Sequence, residues 1–305
     1  MIGPVLPGAA MDVYLIDGTY ELFRHFFAVP KSADANGQEI GATRGVLTSI
    51  LSMLERGTTH LAVATDHVVE SFRNDLYPYY KTSAGVPPEL LSQFPILEEA
   101  LESMGVRVWA MVEFEADDAL AAAAAKAALD MQVGKVIICT PDKDLGQCVV
   151  GDRVVQLDRR RNELRNEAGV VEKFGVKPES IPDYLAVVGD TADGYPGLPG
   201  WGAKAAASVL SVFPHLEDIP RDAGQWPSTI RGAGKLCATL FESWEEALLF
   251  RTLARLRLDV PVFDDVSKLR WNGPTSSFEA MCSRLKSPEL LRRCEAVRQK
   301  NPLQS

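Results

Sequence analysis

Two carboxylates stand one residue apart in Thr140-Pro141-Asp142-Lys143-Asp144-Leu145, directly after the apolar run Val136-Ile137-Ile138-Cys139. The pattern recurs. Val13-Tyr14-Leu15-Ile16 runs into Asp17, Leu61-Ala62-Val63-Ala64 into Thr65-Asp66, and Val106-Arg107-Val108-Trp109 leads to Glu115-Ala116-Asp117-Asp118. Asp190 and Asp193 extend the set further along the chain. Carboxylates gathered within a few ångströms oppose one another's ionisation, so such a cluster either shares protons or is neutralised by cations. Six or more acids exceed any acid–base dyad, which points to two or more hard divalent cations with oxygen ligands, Mg²⁺ or Mn²⁺. Two such ions about 4 Å apart activate a water and stabilise a leaving oxygen in phosphodiester hydrolysis.

Short β-branched runs that end in acid place those groups at the C-terminal edge of buried parallel strands, where open α/β sheets collect their ligands. From Val13 to Leu157, apolar strands alternate with helical stretches over 20–27, 43–55, 89–104, 116–129 and 145–149. That alternation predicts an α/β fold with a mostly parallel sheet flanked by helices. Residues 154–157 are the expected last strand. Between Phe72 and Phe94 the pattern fails: three tyrosines, Arg73, Lys81, Gly85 and several prolines fit neither a helix nor a strand. A long irregular segment beside a strand edge is expected to be a lid or clamp. After the basic cluster Arg159-Arg160-Arg161 and Arg165 the texture is wholly helical. A helix from Lys177 through Val188 stops at Gly189-Asp190, and the glycines and prolines of 194–202 predict a tight hairpin before a helix over 205–213. Free N–H groups at the start of that second helix suit a phosphate without reading its base. The segment 230–235 repeats the Gly-plus-cation texture more weakly. Helices over 244–256, 277–285 and 288–300 finish the chain, with arginine faces that read as solvated surface.

With 305 residues, 46% hydrophobic and 24% charged, the chain has room for one large α/β domain with an appendage or for two domains. No apolar segment is long enough to span a bilayer, because the Ala-rich run from Ala119 is broken by Lys126 and Asp130. Residues 1–10 lack a basic start and contain two prolines, so they read as a loose leader and not a secretion signal. A cytoplasmic protein is expected. Five cysteines without Cys-x-x-Cys spacing argue against both a disulfide framework and a zinc site. The net charge of -9 would count against a nucleic-acid partner, but bound cations would offset much of it.

Leu15-Ile16-Asp17-Gly18-Thr19 matches the Asp-x-Asp-Gly-Thr signature of haloacid-dehalogenase-type phosphatases except at its nucleophile, where Leu15 stands, and that chemistry is set aside. A wider set of motifs agrees with another family. Leu-Ile-Asp-Gly at Leu15, Phe72-Arg73 with Tyr80-Lys81, Glu-Ala-Asp-Asp at Glu115, Asp-Lys-Asp-Leu at Asp142 and Gly-Asp-x-x-Asp-x-x-Pro-Gly-x-Pro-Gly-x-Gly-x-Lys from Gly189 to Lys204 occur in one order. By these the chain resembles the bacterial and phage 5′-nucleases, which comprise the 5′→3′ exonuclease domain of family A DNA polymerases and related flap endonucleases, from Met11 to about Val262.

The resemblance implies a PIN-like catalytic core over 11–165 with a helical arch or clamp at 72–94. It also implies a helical DNA-binding region over 166–305 with a helix-hairpin-helix element at about 184–213. Asp17, Asp66, Glu115, Asp117, Asp118, Asp142, Asp144, Asp190 and Asp193 match the family's metal ligands. Arg73 and Lys81 match cations that approach the scissile phosphate, and Tyr20 and Arg24 lie on the helix that lines the route of the single-stranded end. Gly197, Gly200, Gly202 and Lys204 are expected to grip the duplex backbone, with K⁺ in the hairpin. The implied activity is a Mg²⁺-dependent, structure-selective 5′–3′ exonuclease or flap endonuclease, in Okazaki fragment processing and repair. Its substrates would be flaps, nicks and 5′ ends in any sequence, RNA primer–DNA hybrids included; the protein would be a monomer without membrane contact. No polymerase motifs follow, so a stand-alone enzyme is expected. Members often continue Tyr-Lys-x-x-Arg, whereas Ala84 stands at that position here, which makes the clamp less basic and bears on threading of a long 5′ strand. Two rival readings are a catalytically silent junction-DNA-binding protein and a PIN-type ribonuclease.

Overall fold

Apolar runs and amphipathic stretches alternate in space much as they do in the sequence. The computed structural model describes residues 11–300, so the leader expected at 1–10 lies outside the described residues. In chain order the elements are β1 (Met11–Asp17), α1 (Gly18–Phe26), α2 (Gly41–Glu55), β2 (His60–Asp66), α3 (Phe72–Leu76), α4 (Pro88–Leu91), α5 (Gln93–Ser103), β3 (Arg107–Met111), α6 (Ala116–Ala128) and β4 (Val133–Cys139). There follow β5 (Val154–Asp158), β6 (Glu163–Arg165), α7 (Glu167–Phe174), α8 (Ile181–Val188), α9 (Ala203–Leu210), α10 (Ala233–Glu242), α11 (Trp244–Ala254), α12 (Phe278–Arg284) and α13 (Pro288–Lys300). The chain divides into two compact units, one of Met1–Val69, Ser83–Thr140 and Leu258–Ser305, the other of Glu70–Thr82 and Pro141–Arg257.

In the first unit β1 to β4 are all parallel, in the order β3-β2-β1-β4. The bodies of β1, β2 and β4 are mostly buried and read as near-continuous apolar runs, whereas β3, at the sheet edge, buries only Trp109. Winding runs outward from β1 through β2 to β3 and then returns to the other side of β1 at β4. Such a reversal opens a crevice beyond the strand C-termini, and Asp17 closes β1 at that point. Helix α6 packs on β1 to β4 and is buried nearly all round, with Ala119, Ala121, Ala122, Ala123, Ala124 and Ala127 among its buried residues. Small side chains let the helix lie close to the strands; a larger residue at Ala123 would overpack this contact at a cost of about 1–3 kcal/mol. At the chain's end, α13 packs on α2, and Arg293 bonds Glu55 at 2.8 Å.

The second unit centres on an apolar cluster that includes Tyr184, Leu185, Tyr195, Trp201, Leu240 and Phe250. Several expectations change, in both units. Strand β5 is followed by β6, paired antiparallel to it, because the arginine run forms a turn: Asp158 accepts from Arg160 and Arg161 N–H groups, and Asn162 adopts a φ of 54°. The segment from Phe72 is not wholly irregular. Ser71 and Asn74 form a capping box that starts α3, and Pro88 opens α4. The single helix expected over 89–104 is two, meeting at Ser92. Residues 144–148 are a 3₁₀ turn, and α10 begins directly after Gly232, inside the 230–235 segment with the Gly-plus-cation texture, a helix absent from the expected set. Among the described residues no helix is long and apolar enough to cross a membrane. The five cysteines are free thiols.

Candidate active site

The first unit holds five of the acids at the C-terminal edge of its sheet. Asp17 Oδ1 accepts from Tyr20 N at 2.8 Å, capping α1, while Oδ2 accepts from Thr140 Oγ1 at 2.9 Å, just past β4. Gly18 is a close approach: a Cβ there would lie 2.6 Å from Val63 Cγ1 and 2.8 Å from Ala64 O, pushing α1 off β2. Asp66 closes β2, donates its N–H to Thr19 Oγ1 at 2.8 Å, and accepts from Ala116 N through Oδ1 at 2.7 Å. Asp118 Oδ2 in turn accepts from Glu115 N at 3.0 Å, and Asp117 lies half-buried in the same turn. Asp17, Asp66, Glu115 and Asp118 thus sit at the N-termini of α1 and α6, whose positive ends lower the cost of holding acid there.

The second unit holds the other four. Asp142 is exposed; its Oδ1 accepts from Asp144 N at 3.1 Å and its carbonyl accepts from Gln156 Nε2 at 2.6 Å. Asp144, Asp190 and Asp193 each present an oxygen within 4.8 Å of the others. Burial raises the Asp144 carboxyl well above the usual range, and the charges of Asp142, Asp193 and Asp190 add to it, with Lys81 working the other way. Two ammonium groups offset the cluster: Lys143 Nζ stands 2.8 Å from Asp190 Oδ2, and Lys81 Nζ 3.0 Å from Asp193 Oδ1. Burial pulls the Lys143 ammonium downward, but the hydrogen bond and charge of Asp190, with Asp144 and Asp142, outweigh it and hold the group above its ordinary value. Among the described residues, Asp144 Oδ1 is buried and meets no protein hydrogen-bond partner. A buried acceptor left unpaired costs about 1–3 kcal/mol. Three converging carboxylates with one such oxygen fit a hard cation.

The cluster leads straight into the hairpin. Helix α8 stops at Gly189, and Asp190 and Tyr195 exchange both main-chain hydrogen bonds, at 2.8 and 3.0 Å. Gly197 has a φ of 70°, and a Cβ there would lie 2.4 Å from Gly189 N and Val188 C, so only glycine lets the chain fold back onto α8. Gly200 and Gly202 face open space, which leaves bare main chain ahead of α9, and Lys204 is exposed in that helix's first turn. Lys81 N donates to Asp193 O at 2.9 Å, seating the base of the 72–94 segment on this turn.

Arg73 is placed otherwise than an open phosphate contact would be. It is 1% exposed, and its Nε and Nη2 donate to Leu253 O at 2.8 Å and Arg255 O at 3.1 Å, closing the end of α11. Tyr20 is half-buried on α1; Arg24 is bonded to Glu21 and lies 2.9 Å from His25 Nε2. Ala84 is exposed. Sequence reasoning passed over Lys143 as a counter-ion, although its place between two acids was the signal. It also passed over Tyr195, whose signal was a large aromatic inside a Gly-Pro turn.

Comparison with known proteins agrees with this geometry. Residues 12–175 match the family model described as 5′-3′ exonuclease, N-terminal resolvase-like domain, and residues 176–277 match 5′-3′ exonuclease, C-terminal SAM fold. The 5′-3′ exonuclease of Aquifex aeolicus is 35% identical over 209 residues, covering 68% of this chain and 71% of that protein. DNA polymerase I of Rhizobium leguminosarum is 34% identical over 275 residues, 86% of this chain; the chain spans about a quarter of that polymerase's length. The fold matches T5 5′-exonuclease with bound zinc at a TM-score of 0.64 and 18% identity, covering 94% of this chain and 98% of that one. It also matches the catalytic core of Rad2 in complex with DNA substrate, at a TM-score of 0.60 and 15% identity, over 97% and 95%. With both family models matched in order along residues 12–277, the chain belongs to the 5′-3′ exonuclease family.

Proposed function

We propose that this protein is a divalent-metal-dependent, structure-selective 5′-nuclease that hydrolyses phosphodiester bonds at 5′ flaps, nicks and 5′ ends near single-strand/duplex DNA junctions. The observation that carries the reading is the convergence of Asp144, Asp190 and Asp193 within 4.8 Å around the unpaired Asp144 Oδ1, at the start of the hairpin. These three hold one Mg²⁺ or Mn²⁺, with Asp142 beside them in the chain. Asp17, Asp66, Glu115, Asp117 and Asp118 are the ligands for a further ion. Such ions, when bound, lower the pKa of a water and offset charge on the reacting phosphate.

The chain's own residues do the rest. Lys81, parked on Asp193, is the cation available to the scissile phosphate, where a positioned charge stabilises developing negative charge. Arg73 acts through position, by holding α3 against the end of α11. The bare main chain at Gly197, Gly200 and Gly202, with Lys204, binds duplex phosphates without reading sequence, and a K⁺ in the hairpin belongs to the same reading. Tyr20 and Arg24 line the route of the single-stranded end. A monomeric cytoplasmic enzyme of replication and repair, with RNA primer–DNA hybrids among its substrates, completes the reading.

The test is a labelled 5′-flap DNA incubated with Mg²⁺ or with EDTA, beside a matching RNA flap. Cleavage in Mg²⁺ alone is expected. Asp117→Asn and Asp142→Asn should abolish it while sparing DNA binding. Undiminished turnover in both variants, or product in EDTA, would overturn the metal assignment.

A further inference from the structure

Tyr195 is fully buried, and its ring stacks on Phe250 with centroids 5.5 Å apart and planes 27° apart. Its main chain is tied to Asp190 by the two hydrogen bonds of the hairpin, and it follows Asp193 by two residues. The side chain is therefore held rigidly at both ends of its backbone and along its ring. Yet its hydroxyl, like Asp144 Oδ1, is buried and meets no protein hydrogen-bond partner among the described residues. A phenol is a hydrogen-bond donor, and because Asp190 and Tyr195 stand directly opposite in an antiparallel bridge their side chains lie on the same face of the hairpin.

Both unpaired atoms belong to neighbours of Asp190: Tyr195 is bonded to it through the main chain, and Asp144 presents an oxygen within 4.8 Å of one of its own. They do not bond each other, so a group of some size must satisfy both. We propose that the Tyr195 hydroxyl donates a hydrogen bond to a water in the shell of the divalent cation held by Asp144, Asp190 and Asp193, which makes Tyr195 a positioning residue for that ion. The inference rests on the metal reading given above. A cation there would answer Asp144 Oδ1, and a water in its shell that accepts from the Tyr195 hydroxyl would answer the other unpaired atom. Nothing is transferred: the phenol keeps its proton throughout. Residues that orient a metal's shell from outside typically change affinity 10- to 100-fold.

The substitution Tyr195→Phe keeps the ring and its stack on Phe250 and deletes one oxygen. Two readouts on the full-length, DNA-free protein should move in opposite directions. The thermal midpoint without metal should hold or rise, because a buried hydroxyl without a partner has been removed. Mn²⁺ affinity measured by calorimetry should fall about tenfold or more. Tyr195→Leu removes ring and hydroxyl together and should lower both. An unchanged Mn²⁺ affinity in Tyr195→Phe overturns the proposal, as does a lowered metal-free midpoint with affinity intact, which would mean that the hydroxyl serves packing alone. Asp190→Asn provides the control. If the unsubstituted protein binds no Mn²⁺ that Asp190→Asn abolishes, the metal reading itself fails and takes this one with it; a bound ion indifferent to Tyr195 defeats only the present inference.

Discussion

Replacing Arg73 by Met decides what its burial means. The guanidinium satisfies Leu253 O at 2.8 Å and Arg255 O at 3.1 Å while the side chain is 1% exposed. Methionine fills much of the same volume and takes both donors away. Leu253 O left buried without a donor costs about 1–3 kcal/mol, while Arg255 is exposed and its carbonyl can turn to water, so the loss is about 1–3 kcal/mol. With a urea dependence of about 2 kcal/mol per molar, the transition of the second unit should shift down by about 0.5–1.5 M. Trp201, Trp226 and Trp244 lie in that unit and report its unfolding by fluorescence. Arg73→Lys keeps the charge but not the planar fork, reaches at most one carbonyl, and should recover less than half of the loss. Helix α11 packs on α8, which leads to Asp190, so activity should fall in step with stability. A urea midpoint unchanged to within about 0.3 M, together with flap cleavage reduced by about a thousandfold, would refute this reasoning and put the guanidinium on the substrate phosphate.

Two further outcomes follow from the second unit. Gly197→Ala places a Cβ 2.4 Å from Gly189 N and Val188 C at a φ of 70°, so the hairpin cannot close as it stands. Duplex affinity should drop at least about tenfold with a stability loss of about 1–3 kcal/mol; wild-type mobility-shift binding by a normally folded variant would show that the turn is not the grip. Arg251 bonds Glu217 and the buried Asp183, and its hydrogen bond holds the Glu217 carboxyl down to about 2 from the ordinary 4.5. A depressed carboxyl adds stability that is complete above pH 4.5 and is lost as pH falls through about 2. Because Glu217 is half exposed, Glu217→Gln should cost no more than about 1 kcal/mol at pH 7. The difference from wild type in thermal melts should close between pH 4.5 and about 2, and a difference that persists at the acid end would exclude this ion pair as its source.

Much of this protein was legible in its sequence because the governing signals are local. An apolar run followed by acid, as at Ile16-Asp17 and Thr65-Asp66, specifies both a buried strand and the group at its end, since a parallel strand must bury its body and exposes only its tip. The glycines of 189–202 likewise announce a tight turn, because φ values such as the 70° of Gly197 are open to few other residues. The family's motifs sit in these same stretches, which is why the resemblance could be stated from residues alone.

What only the tertiary structure decided are pairings between residues distant in sequence or dependent on burial. The motif matched Arg73 to a cation near the scissile phosphate, and only the fold shows that the end of α11, some 180 residues later, brings two carbonyls to it. Strand β6 was hidden because three residues beside an arginine run have no periodicity of their own and become a strand only by pairing with β5. Lys143 and Lys81 could be counted as charges, but not assigned to Asp190 and Asp193 before distances existed. Tyr195 is the clearest case. Its neighbours in sequence mark a turn, yet an unpaired hydroxyl is a property of everything packed around it, and no spacing of residues along a chain encodes that.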